Sequence, residues 1–254
     1  MSQARSATSD LSIDEALILH SVGWEPVDLV CGAAVYSIPM GAWTWATGEI
    51  TAASAAHSRA VAQAAARLEA DCRRAGGHGV VGVKVEVSVE RHNVDAVMVG
   101  TAVAPAGAGA PGRAAFVSDL SGRDFALLHG AGWEPLGLAF GASFVHVPRR
   151  GAATAIKQKG QNVELVNFTE ALYSARESAM ERMQASALAF QASGVVAVRV
   201  SEGPMAFAGH SVRFTAWGTA VRLSPGGHKY LQPRVVVSLD DAVRQFAAES
   251  LRGD

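Results

Sequence analysis

Leu19–Pro26 reads LHSVGWEP, and Leu128–Pro135, 109 residues later, reads LHGAGWEP. Working outward at the same offset, Ser9–Tyr36 and Ser118–Val145 agree at 13 of 28 positions, which is too many for chance composition. The echo continues with GVVGVKV from Gly79 against GVVAVRV from Gly194, and with GTAV from Gly100 against GTAV from Gly218. The offset drifts from 109 to 115 to 118, so the second copy carries longer loops. A period near 110 residues signifies a tandem duplication and not a solenoid. Between the copies, Ala104–Gly112 reads APAGAGAPG, which can bury nothing and reads as a linker. The expected organisation is a first domain over 1–104, a linker over 105–115, a second domain over 116–224 and a tail over 225–254.

Each copy parses the same way. LSIDEALILHSVG reads as a short helix, with Ser12 as cap and Glu15 three residues on; Ser121 and Asp124 take those places in copy two. Gly23 and Gly132 supply the left-handed residue that stops the helix. Trp24 and Trp133 are then lids over Leu19 and Leu128, and Pro26 and Pro135 forbid more helix and launch a strand. After a variable loop comes a long helix, about Ala52 to Arg74 in copy one and about Phe168 to Ala192 in copy two. Two strands close each copy. In the first of them Val83, Val85, Val87 and Val89 alternate with polar residues, giving one wet face. The fold class is therefore α+β: two tandem small antiparallel three-stranded sheets, each backed by a long helix and preceded by a short one. The tail adds a strand and a terminal helix.

ALYSARESAMERMQASALAFQASGVVAVRV followed by FTAWGTAVRL resembles the YbjQ-like family, heavy-metal-binding domains by designation. The features that carry the resemblance fall on Arg176, Gly194–Val200 and Gly218–Val221. Copy one keeps Gly79–Val85 and Gly100–Val103 but has a degraded helix, with Arg59 the nearest arginine. The resemblance implies a YbjQ/dodecin-like fold in both copies and subunits that close into five-membered rings. It implies a metal only by its title.

The residues do not follow that title. Soft metals want three or four converging Cys, His or carboxylate ligands, often in short-spaced pairs. Cys31 and Cys72 are far apart, Cys31 aligns with Phe140, and both read as buried apolar positions in a reducing compartment. His20 and His129 sit in the last turn of their helices, suited to covering terminal carbonyls. His78 sits in a glycine-rich turn that enters a strand, a poor phosphate site. No nucleophile–base–acid order and no dinucleotide fingerprint stands out, so no catalytic residue, cofactor or metal is assigned. A net charge of −1 advertises neither nucleic acid nor anionic lipid. MSQARSATSD has no apolar core for a signal peptide, and no run of about 18 apolar residues suggests a membrane span; a cytoplasmic protein is expected.

Two variable loops are candidates for partner contact: an aromatic one with Trp43 and Trp45, and a basic one with Arg149, Arg150, Lys157 and Lys159. The first long helix suggests self-assembly. Ten of its nineteen residues between Ala52 and Ala70 are alanine, and they surround the helix instead of forming one stripe. A helix on one sheet needs a single apolar face, so the other sides invite a second surface, here expected to be a neighbouring subunit. The closing strand of copy two, with Val212, Phe214 and Ala216 on one face and Trp217 and Val221 on the other, also wants cover on both sides. The expectation is a non-enzymatic homo-oligomer, most simply a pentamer, that acts as a scaffold; the alternative is a small-ligand or heavy-metal-binding protein using an inter-subunit cavity.

Overall fold

A computed structural model describes residues 8–39, 48–90, 92–112, 114–147, 163–205 and 208–229. Trp43, Trp45, Arg149, Arg150, Lys157, Lys159 and all but the first residues of the tail lie outside them. The first copy contributes α1 (Ile13–Ser21), β1 (Trp24–Ser37), β2 (Gly48–Glu49), α2 (Thr51–Arg74), β3 (Gly79–Glu90) and β4 (Asn93–Pro105). The second contributes β5 (Phe116–Val117), α3 (Gly122–Gly130), β6 (Trp133–His146), α4 (Val166–Ala189), β7 (Gly194–Met205) and β8 (Ala208–Leu223). No helix among the described residues is long and apolar enough to cross a membrane.

The short helices are built alike. Ser12 accepts from the Glu15 backbone while Glu15 accepts from the Ser12 backbone, and Ser121 accepts from the Asp124 backbone. Gly23 and Gly132 follow at φ +79° and +82°, a conformation glycine adopts without steric penalty. Pro26 and Pro135 lack the donor a ladder needs, and each pairing slips by a residue there, between Pro26 and Asp28 and between Pro135 and Gly137.

The long helices lie against their sheets at short range. A Cβ on Gly32 would overlap the Ala64 carbonyl, and one on Gly141 would overlap the Ala179 carbonyl. That is why the repeated Gly-Ala words recur on β1 and β6: glycine lets helix backbone touch strand backbone. Leu68 and Met183, Ala60 and Ala175, and Ala64 and Ala179 bury themselves at that contact.

The sheets have four strands each, not three, in the orders β1-β4-β3-β5 and β2-β6-β8-β7. Their three long strands are antiparallel. The fourth strand in each comes from the other copy: β5 of copy two pairs in parallel with β3, and β2 of copy one pairs antiparallel with β6. Two-residue strands have no periodicity to read, which is why the sequence expectation stops at three.

Two further expectations need correction. The second surface against α2 is not a separate subunit but the other half of the same chain: α2 spans its own β1 and β4 on one side and β6 on the other. Cys31 is exposed, and only Cys72 is buried. Phe140, its counterpart, is covered because α2 lies over it, and among the described residues nothing equivalent lies over Cys31.

Candidate assembly interface

Among the described residues, the surface joining the two copies brings together buried polar and charged side chains from both. The segment leading into α3 bridges them. Ser118 donates its backbone N–H to the Val80 carbonyl at 2.9 Å and accepts from the Val83 N–H at 3.1 Å, and Gly82 donates to the Leu120 carbonyl at 2.7 Å. On its other side the same segment is tied to β8. The Thr219 hydroxyl bonds to Ser118 Oγ at 2.9 Å and donates to Asp119 Oδ1 at 2.8 Å. Arg199 approaches Asp119 to 3.4 Å. Burial of the Asp119 carboxyl outweighs these bonds and holds its pKa above the ordinary value.

Strand β2 makes the second tie. Arg182 of α4 clasps the Glu49 carboxylate with both terminal nitrogens, at 2.5 and 2.8 Å, and also donates to the Ala142 carbonyl at 2.6 Å. Ser54 and Ser143 add hydroxyl donors to the same carboxylate. Arg182 above all holds the Glu49 carboxyl below its usual range. Bidentate geometry makes this stronger than an ordinary surface pair.

Between these ties, His57 of α2 stacks on Phe140 at 5.4 Å and tilts against Phe144 at 5.3 Å. It is 1% exposed, and neither ring nitrogen has a hydrogen-bond partner among the described residues. Burial, with Arg213 adding to it, pulls its pKa down to about 3, so the imidazole is neutral. His57 lines a cavity of about 130 Å³ with Arg213, Thr215, Ser201 and Trp217. The face of β8 that carries Trp217 thus looks toward Val85 and Val87 of copy one, while Phe214 and Ala216 pack on α4.

Of the sequence-predicted residues, Leu19, Trp24 and Leu128 fall at one end of this interface. Leu19 is fully buried in a cluster with Phe116, Leu120 and Phe125, and Trp24 packs on that cluster, edge-on to Phe125 at 5.1 Å. Leu128 packs on it from copy two. Trp24 therefore covers the boundary between copies as well as its own helix. Trp133 is partly buried and donates to His228 at 3.3 Å. His20 and His129 occupy the last turns of α1 and α3. Sequence reasoning missed Glu49, His57 and Arg182, which carry no motif: each gains meaning only from what the other copy places opposite it.

A heavy-metal ion does not fit the described residues. No three His, Cys, Asp or Glu side chains converge among them. The Cys72 thiol donates to the Gly79 carbonyl, and burial pushes its pKa up to about 12, so it is no thiolate ligand at neutral pH.

The described chain is thus a protein of two tandem α+β copies that exchange short strands across a packed boundary. Residues 155–224 match the YbjQ family, described as "Putative heavy-metal-binding". Across 247 residues the chain is 34% identical to the "Encapsulin nanocompartment protein Rv1762c" of Mycobacterium tuberculosis (strain ATCC 25618 / H37Rv), covering 93% of both chains. The chain belongs to the family of that mycobacterial protein. No solved structure matches it.

Proposed function

We propose that this chain is a non-enzymatic structural protein whose activity is to assemble with copies of itself. One observation carries the reading: large apolar side chains stand exposed on regular elements, among them Val35 on β1, Tyr173 and Leu188 on α4 and Val200 on β7, each at least 59% exposed. Large apolar side chains left exposed on strands and helices are the positions a second surface would cover. The residues the two copies share are helix stops, close-approach glycines and strand bulges, which serve packing. The relative named for an encapsulin nanocompartment supports a role in a larger assembly, and the YbjQ resemblance supports a closed ring of five chains in the cytoplasm. The aromatic loop at Trp43 and Trp45 and the basic loop from Arg149 to Lys159 are then the surfaces offered to other proteins. Native mass spectrometry of the untagged chain at micromolar concentration tests this. A defined multiple of 26.3 kDa is expected, and a lone 26.3 kDa species overturns the assembly.

A second reading is binding of a small anion in the cavity between the copies. It is favoured by the buried Nε of Arg213 and both nitrogens of His57, unpartnered among the described residues and lining one space. Acetate, nitrate and sulfate should then raise the melting temperature of the wild type but not of Arg213→Met. Equal effects on both proteins would remove the reading.

A further inference from the structure

We propose that the contact between the two copies within a chain is repeated between chains, so that copy two of one molecule docks on copy one of the next in the way copy one docks on copy two. The inference rests on the self-assembly reading and specifies its surface. Its basis is that the half of the contact each copy makes inside the chain has an unused counterpart on the other copy.

The counterparts are fixed by the structure. Arg67 donates to the Ala33 carbonyl as Arg182 donates to Ala142, which equates α2 with α4 at an offset of 115. Ile50 and Leu165 start those helices with matching backbone angles, so Glu164 stands where Glu49 stands. Glu49 has its arginine. Among the described residues Arg67, by contrast, has a carbonyl and no carboxylate, and Glu164 is exposed with no arginine. In this docking each is the partner of the other, across two chains.

The apolar surfaces repeat the pattern. Phe144 is fully buried under α2, whereas Val35, its counterpart, is 65% exposed. Leu138 is 7% exposed and Leu29 41%. On the opposing side Val83 is 5% exposed beneath copy two, and its counterpart Val198 is 42% exposed. The sizes also compensate. Copy two sets Phe140 and Phe144 against His57 and Ser58; copy one offers the smaller Cys31 and Val35, and α4 answers with the larger Leu172 and Tyr173. Conserved total volume is what a packed contact tolerates.

The backbone agrees. Ser9 and Asp10 hold Thr101 as Ser118 and Asp119 hold Thr219, so the segment at residues 9–11 is shaped like the one at 118–120. The latter adds itself to the edge of β3. Among the described residues the former adds itself to nothing, and β7, the counterpart of β3, ends its sheet with an open edge. An open edge and a preformed segment are complementary strand-addition partners. The occupant is therefore a second copy of this chain, and the contact is heterologous, which closes into a ring or runs on. Whole chains bring copies in pairs, so any single ring of this kind holds an even number of them.

Charge reversal tests the docking on the full-length protein. Arg67→Glu and Glu164→Arg should each reduce the assembled mass to that of one chain, with association at least tenfold weaker, while far-ultraviolet circular dichroism stays that of the wild type. The double variant Arg67→Glu with Glu164→Arg should restore the wild-type mass. Single variants that keep the wild-type mass, or a folded double variant that stays monomeric, overturn the docking and leave self-assembly standing. A monomeric wild type overturns both. If a charge variant does not fold, Ser37→Cys with Val163→Cys in a Cys31→Ala background decides it. These positions correspond to the His146–Gly48 pair, so oxidation should give a ladder of chain-to-chain multimers, and a single band under oxidising conditions rejects the contact.

Discussion

Arg182 reaches from α4 across the boundary between copies to hold both carboxylate oxygens of Glu49, at 2.5 and 2.8 Å. The pair locks β2 against β6, and through it the seat of α2 on the second sheet. Glu49→Gln should lower the unfolding free energy by about 1–2 kcal/mol near neutral pH, the range for losing charge-assisted hydrogen bonds at a partly wet site. Because the Glu49 carboxyl is held below its ordinary 4.5, this contribution is present above that value and is lost as pH falls through the folded pKa. Denaturant melts at pH 7 and pH 3 check it: the variant's deficit should shrink in acid, and a deficit unchanged at pH 3 would count against the ion pair.

His57 adds acid sensitivity of the same sign in a higher pH window. Its folded pKa of about 3 lies below the ordinary 6.5, so the unfolded chain takes up the proton first. Stability falls as pH drops from about 6.5 toward about 3. The groups that face it are Phe140 and Phe144 on β6, the Arg213 guanidinium and Thr215 on β8 and Ser201 on β7, none of which carries the negative charge that would compensate an imidazolium. Between pH 7.5 and pH 5 this one group should remove about 2 kcal/mol, at roughly 1.4 kcal/mol per unit. His57→Leu, which installs the residue that Leu172 supplies in α4, should be less acid-sensitive by that amount. Parallel pH profiles for wild type and variant would refute the assignment.

Much of this architecture is legible in the sequence, for identifiable reasons. The helix stops at Gly23 and Gly132 are written in local chemistry, the strand period in the valines from Val83 to Val89, and the duplication in repeated words. What the sequence hides is pairing between copies. The two residues of β2 and the two of β5 carry no period. Cys31 was expected to be buried because it aligns with Phe140, yet the two slots differ in cover and not in backbone. The alanines of α2 do announce a second packing surface, but local sequence cannot say whether it belongs to the same chain. Glu49 and Arg182, 133 residues apart, become a pair only in three dimensions.

Gly141 is the narrowest point between β6 and α4. A Cβ there would overlap the Ala179 carbonyl and come within 2.6 Å of the Met183 amide, both backbone atoms that cannot swing away. Gly141→Ala should therefore cost about 1–3 kcal/mol despite the usual gain from replacing glycine, as overpacked sites do. Gly32→Ala should cost a similar amount against Ala64 and Leu68. Chemical denaturation measures both, and a stabilised Gly141→Ala would show that helix and strand stand farther apart than described.

The stretch joining the copies should be the easiest to cut and the least consequential. After β4 ends at Pro105, residues 106–110 are exposed, Gly107 adopts φ +71°, and the alanines and glycines make no apolar contact that cutting would lose. Elastase at the alanines, or trypsin after Arg113, should therefore nick the chain here before it enters α2 or α4. The two pieces should then stay together. What joins them is β5 on β3, β2 on β6, the Glu49–Arg182 clasp and the seat of α2 on Phe140 and Phe144, and none of these passes through the linker. Size-exclusion chromatography of the nicked protein at micromolar concentration should give one peak at the elution volume of the intact protein, resolving into two fragments only in denaturant. Fragments that separate without denaturant would show that the linker, and not the interface, holds the copies together. First cuts inside α2 or α4 would contradict the division of the chain at residues 105–115.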